Sequence, residues 1–218
     1  MKKLMITGLL IILGLSGSLV FAADIAQPTP GGMLLTDFED FTATVDSTDA
    51  KSADNGKYTS ICWDDKDGGK KSTIKFEVVG DAAQCQKAIK VTYKLVSGGY
   101  AGGGWVPTST DPKVISAMMD WSKYKNLSFW VKGNGTKQSY IMELDDKDTE
   151  GFRSLVQTIE STQWTHVVIP FSAFKSRTDW QPKGITANRI FDWPATEWQI
   201  AMVSGSGELC FDLFEVTP

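Results

Sequence analysis

The chain has 218 residues, 42% of them hydrophobic, with 22 basic and 26 acidic side chains, one histidine and three cysteines. That length suits a single domain able to bury a sizeable core. Lysines and arginines are scattered among acids, so no basic face is offered to nucleic acid or anionic lipid, and a net charge of −4 argues against both.

Lys2 and Lys3 precede an apolar run from Leu4 to Leu19 that ends in Val20-Phe21-Ala22. This pattern predicts a secretory signal over residues 1–22, cleaved before Ala23, and so a secreted or periplasmic product. The run is short for a membrane span and has no positive flank on its far side, so no stable membrane anchor is expected after cleavage. Asp24 to Met33 carries prolines and glycines without periodicity and reads as an extended leader into a domain over 34–218. In an exported chain the cysteines permit one disulfide, Cys62–Cys85, Cys62–Cys210 or Cys85–Cys210, or three buried thiols.

Beyond the leader no stretch keeps apolar residues at helical spacing for three turns. Short apolar or alternating runs recur instead, at Leu34–Phe38, Ser72–Val79, Ala88–Val96, Leu127–Lys132, Ser139–Leu144, Ser154–Ile159, Thr165–Ile169, Glu197–Val203 and Leu209–Val216. Nine strands with turn signals between them predict an all-β sandwich of two antiparallel sheets. The helical candidate is Pro112–Met119, with Asp111 as its cap and proline at the first position.

Alternation assigns faces. Leu127, Phe129 and Val131 point to the core and Trp130 away from it. Tyr140, Met142 and Leu144 point in, with Glu143 and Asp145 out. Phe152, Ser154 and Val156 oppose Arg153, Leu155 and Gln157. Trp121, Trp164 and Trp198 lie in apolar surroundings and are expected in the core. Five glycines from Gly98 to Gly104 bracket Tyr100 and lead into Trp105. Bare backbone beside rings gives a flat ligand room.

The run D-W-S-K-Y-K-N-L-S-F-W-V-K-G-N-G from Asp120, Y-I-M-E-L-D-D from Tyr140 and W-T-H-V-V-I-P-F-S-A-F from Trp164 resemble the family 11 carbohydrate-binding modules and the related CIA30-like domains. D-F-E-D from Asp37, D-K-D-G-G-K-K-S from Asp65 and F-D-L-F-E-V from Phe211 fall in the matching order. The resemblance implies a galactose-binding-like jelly roll that binds a β-glucan polysaccharide without catalysis on a concave outer sheet, with structural calcium. Sugar chemistry fits the residues: pyranose C–H faces stack on aromatic rings, and hydroxyls seek carboxylates, amides and guanidinium groups. The expected platforms are Tyr100, Trp105 and Trp130, and the expected hydrogen-bonding set is Glu143, Asp145, Arg153 and Gln157. Glu39 and Asp212 are acids within apolar runs near the two ends of the domain, where calcium-binding jelly rolls place adjacent strands. They are the expected calcium ligands, with Asp37 beside them.

Asp146 to Gly151 begins like an EF-hand loop, but position twelve is Gln157 and no helices flank it, so it reads as an acidic turn. Asp64 to Gly69 reads likewise as a loop. His166 has no nucleophile elbow, phosphate loop or zinc spacing around it. Two readings stand beside sugar binding: a CIA30-like interaction or assembly domain with an unknown protein partner, and a small glycoside hydrolase using two of the carboxylates.

Overall fold

The computed structural model describes residues 29–41, 44–46, 53–54, 56–65 and 72–218. The expected signal, the first part of the leader and most of the Asp64–Gly69 loop lie outside the described residues. None of the described helices is long and apolar enough to cross a membrane.

The strands are β1 (Met33–Thr36), β2 (Val45–Asp46), β3 (Ala53–Asp54), β4 (Tyr58–Asp64), β5 (Thr73–Val79), β6 (Ala88–Lys94), β7 (Ala101–Pro107), β8 (Asn126–Lys132), β9 (Gln138–Asp145), β10 (Gly151–Arg153), β11 (Gln157–Ile159), β12 (Thr165–Pro170), β13 (Lys175–Ser176), β14 (Glu197–Met202) and β15 (Ser206–Thr217). A seven-stranded sheet runs β12-β8-β15-β6-β5-β2, with β1 added on β15. An eight-stranded sheet runs β13-β10-β9-β14-β7-β4-β3, with β11 added on β9. Both are antiparallel. This is the expected sandwich.

The core lies between the sheets and follows the alternation. Phe129 and Val131 on β8, Phe76 on β5 and Phe211 on β15 meet Tyr140 and Met142 on β9, Trp105 on β7 and Trp198 on β14. Each such side chain, fully buried, stabilises the fold by roughly 1.5–3 kcal/mol. On β15 the period breaks between Asp212 and Glu215, where a bulge with Leu213 at φ 47° inserts one residue. The extra residue keeps Phe211, Phe214 and Val216 inward and Asp212 and Glu215 outward.

The expected helix forms as α1 (Pro112–Met119), the side chain of Asp111 accepting from Lys113 N. Trp121 and Trp198 are core residues as expected. Trp164 is not: it lies half-buried beside the edge strand β12, with Lys132 Nζ 5.1 Å over its ring. None of the three cysteines is joined in a disulfide. Cys62 packs against the core from β4, while Cys210 lies on the outer side of β15, so the seven-stranded sheet separates that pair.

Candidate functional site

The outward side of the eight-stranded sheet gathers most of the chemistry. Register sets Arg153 on β10 opposite Glu143 on β9, Glu143 opposite Gln199 on β14, Gln199 opposite Gly104 on β7, and Gly104 opposite Ile61 on β4. One row over, Asp145 faces Glu197 on β14 and Gly151 on β10. On the other side, Ile141, Ala201, Gly102 and Trp63 form a third row. At strand spacing the strip from β10 to β4 is about 19 Å across, enough for several sugar rings in line.

One end of the strip is aromatic. Trp63 and Tyr100 have ring centroids 6.1 Å apart, tilted by 48°, and Tyr100 is 54% exposed. Asp65, itself buried, accepts from Ser72 N, Ser72 Oγ and Tyr100 N, and so fixes the backbone from which Tyr100 projects. The glycines of β7 serve close packing on both of its faces. A Cβ at Gly102 would fall inside the Trp63 ring, and one at Gly104 would strike Gln199 Cγ, both on the outer side. One at Gly103 would strike the Phe76 ring on the core side. The bare backbone therefore lets Trp63 lie flat against the sheet, and the room expected for a ligand is taken by that ring.

The other end is charged. Glu143 is 3% exposed, and its carboxylate meets Arg177 Nη1 at 3.1 Å and Arg153 Nη2 at 3.5 Å. Both arginines also pair with Asp179, at 3.5 and 2.9 Å. Arg177 reaches the site because β13 pairs with β10 and Arg177 N donates to Gly151 O; its guanidinium lies 4.9 Å from the centre of the exposed Trp180 ring. Burial pushes the Glu143 carboxyl up, and the two arginines oppose that rise. Burial, then the Glu143 charge, raises Asp145 to about 7, with Arg177 pulling the other way. Burial, then Asp145 and Glu143, raises Glu197 to about 8.

A flat aromatic pair, a carboxylate and guanidinium cluster and an amide on one exposed sheet face form a surface suited to hydroxyl-rich rings. The comparison with known families decides the class: the model of the carbohydrate binding domain (family 11) matches residues 26–216. The chain belongs to that family.

Two solved structures are similar in fold to this family 11 domain. One is the family 11 module of a cellulosomal cellulase of Clostridium thermocellum, with TM-score 0.61 and 20% identity over 86% of this chain and 94% of that one. The other is a family 11 module from the same organism in complex with a β-1,3-1,4-mixed-linked tetrasaccharide, with TM-score 0.62 and 20% identity over 86% and 95%. No curated protein matches the sequence.

Tyr100, Glu143, Asp145 and Arg153 thus come together on one face of this family 11 domain. Three expected residues do not join them. Trp105 is 0% exposed, stacked between Trp198 at 4.2 Å and Phe76 at 5.4 Å, because β7 alternates with Gly102 and Gly104 outward and Gly103 and Trp105 inward. Trp130 does face outward, but from the seven-stranded sheet, where it stacks on His166 at 5.0 Å. Gln157 lies opposite Tyr140, on the inward-facing side of β9, and its amide donates to Leu155 O. The alternation of β10 does not carry through, since residues 154–156 are not strand. Trp63, Arg177, Asp179, Glu197 and Gln199 are the site residues that the sequence reading missed.

The Asp146–Gly151 segment is a turn as expected, held by Asp146 Oδ1 accepting from Asp148 N and Glu150 N. The expected calcium ligands lie on the seven-stranded side. Asp212 Oδ2 accepts from Ala83 N and Gln84 N at 2.9 and 3.0 Å, and Glu39 Oε1 from Gln86 N and Lys87 N at 2.8 and 2.7 Å. The two carboxylates therefore clamp one turn over residues 81–87. Asp37 Oδ1 accepts from Glu39 N, and Glu39 follows β1 instead of lying within it. Among the described residues no three acidic, histidine or cysteine side chains converge on one point. Asp212 Oδ1 is buried with no hydrogen-bond partner, so it has lone pairs to offer a cation.

Proposed function

We propose that this family 11 domain is an exported, non-catalytic module that grips a neutral β-glucan-type polysaccharide across the strands of its eight-stranded sheet. The observation that carries the reading is the placement of Trp63 and Tyr100 on the same outward face as Arg153, Glu143 and Gln199, with Trp63 one row over from theirs. Trp63 and Tyr100 supply C–H stacking. Gln199 and the carboxylates accept hydroxyl protons, and Arg153 and Arg177 hold those carboxylates in place while donating to sugar oxygens.

Support for the ligand class comes from the mixed-linkage tetrasaccharide bound by the related Clostridium thermocellum module. Support for export is the pattern of residues 1–22. Support for a structural calcium is the unpartnered buried Oδ1 of Asp212, whose Oδ2, together with Glu39, holds the 81–87 turn.

Affinity electrophoresis in gels containing mixed-linkage β-glucan tests the reading. The domain should be retarded relative to a gel without polysaccharide, and Trp63→Ala should restore much of its mobility. Mobility in mixed-linkage, β-1,4 and β-1,3 glucan gels equal to that in the polysaccharide-free gel would overturn it.

A further inference from the structure

The strip carries more carboxylates than it can neutralise. Arg153 and Arg177 are both committed to Glu143 and Asp179. Asp145 and Glu197 remain, side by side across β9 and β14, and among the described residues no ion pair reaches either. Glu197 Oε1 is buried with no hydrogen-bond partner. Thr196, just before Glu197, spends its hydroxyl on the carbonyls of Asp145 and Asp146 and so neutralises nothing. On β7 the neighbours are Val106 and Gly104, which bring no charge.

Given the carbohydrate-binding reading above, on which this step rests, we infer that the Asp145–Glu197 pair is the specificity-determining element of the face and rejects polysaccharides bearing carboxylate or sulfate groups. A neutral glucan can offer hydroxyl donors to both acids. An anionic chain laid on the same strip brings a further negative charge beside two carboxylates that no ion pair neutralises among the described residues, in a partly desolvated setting where like charges are costly. The discrimination depends on pH. Asp145 and Glu197 rise to about 7 and about 8, so the pair holds a proton near neutrality and is fully charged only above that range. The other charged groups on this face are Glu143, Asp146 and Asp179 against Arg153, Arg177 and, opposite Arg153 on β13, Lys175, so the charge of the Asp145–Glu197 pair itself sets the sign of the face above neutrality.

The test compares one β-glucan backbone in three forms: unmodified, hydroxyethylated as a neutral control for bulk, and carboxymethylated. Affinities are measured by calorimetry at low ionic strength at pH 5.5 and pH 9. The carboxymethyl form should bind at least about tenfold more weakly than the hydroxyethyl form at pH 9, with a smaller ratio at pH 5.5 and a further fall with added salt. Asp145→Asn with Glu197→Gln should shrink the pH 9 ratio toward one, whatever it does to the absolute affinity. Equal binding of the two substituted forms, or an unchanged ratio in the double variant, would overturn the inference while leaving glucan binding intact. Failure of all three forms to bind would overturn the carbohydrate reading together with this inference.

Discussion

Glu197 on β14 stands directly opposite Asp145 on β9, two acids paired across the sheet. Opposed like charges destabilise a sheet, and here both side chains are also partly withdrawn from water. The pair tolerates this by holding a proton, Asp145 near 7 and Glu197 near 8.

That proton makes stability fall as pH rises. Unfolded carboxyls release their protons near pH 4. Between about pH 4 and pH 8 the folded chain binds more protons than the unfolded one, so unfolding becomes easier with each step toward alkaline pH. The melting temperature should drop between pH 5.5 and pH 8.5, and Glu197→Gln should flatten that drop. At pH 8.5 the variant should gain about 1–2 kcal/mol, seen as a rise of a few degrees. Parallel pH profiles for the two proteins would show that the pair holds no such proton.

Three tryptophans separate the site from the core. Trp63→Ala should weaken β-glucan binding by about 1–2 kcal/mol with a small change in melting temperature, because the ring is half-buried on the outer face. Tyr100→Ala should act in the same direction. Trp130→Ala should leave affinity unchanged, since its ring lies on the opposite sheet against His166. Trp105→Ala should cost about 3–5 kcal/mol of stability, as removal of a stacked core ring does. Calorimetry and thermal melts on the four variants check the pattern; a loss of affinity in Trp130→Ala equal to that in Trp63→Ala would place the ligand elsewhere.

How much of this could be read from the residues depended on periodicity. Alternation over Gln138–Asp145 put Glu143 and Asp145 outward, and the structure agrees. The same counting over Glu197–Met202 sets Glu197, Gln199 and Ala201 opposite buried Trp198, Ile200 and Met202, so Glu197 and Gln199 were legible there. β4 was missed because its period mixes Ser60 and Cys62 with Tyr58 on the inward side, which blurs the apolar signal. β7 was hidden by its glycines, which read as room for a flat ligand while serving close packing. Trp105 and Trp130 show that alternation gives a side and not a sheet: both rings sit on strands, one facing inward and one outward from the wrong layer. Arg177 and Asp179 lie at and beyond the end of a two-residue strand with no period to read, and only the pairing of β13 with β10 brings them in.

Glu143 is held by two arginines, and removing one should expose what its burial costs. Arg177→Ala leaves a carboxylate that is almost fully buried with Arg153 as its remaining cation. The loss should be about 2 kcal/mol at pH 8 by urea unfolding, discounted from the full cost of a broken buried pair because one partner stays. It should be smaller at pH 5, since a Glu143 carboxyl already raised by burial rises further without Arg177 and takes up a proton. Adding Glu143→Gln to Arg177→Ala should recover part of the loss at pH 8, and a double variant no better than the single would show that the ion pair is not the cause.

The 81–87 turn decides the calcium question. Its backbone amides already satisfy Asp212 Oδ2 and Glu39 Oε1, so the turn can close without a cation, yet Asp212 Oδ1 is left buried and unpaired. A cation bound only by the folded state stabilises by mass action, by about 2.7 kcal/mol at one hundred times its dissociation constant. Millimolar calcium should therefore raise the melting temperature of chelator-treated protein by several degrees. Asp212→Asn should greatly reduce that rise whatever its own melting temperature, because it replaces an anionic oxygen with a neutral one at a site with few other carboxylates. Asp146→Asn should keep the rise, since both Asp146 oxygens accept backbone amides within their own turn and its neighbour at Asp192. A calcium response lost in Asp146→Asn and kept in Asp212→Asn would move the ion to the β9–β10 turn, and no response in the unaltered protein would remove calcium from this fold.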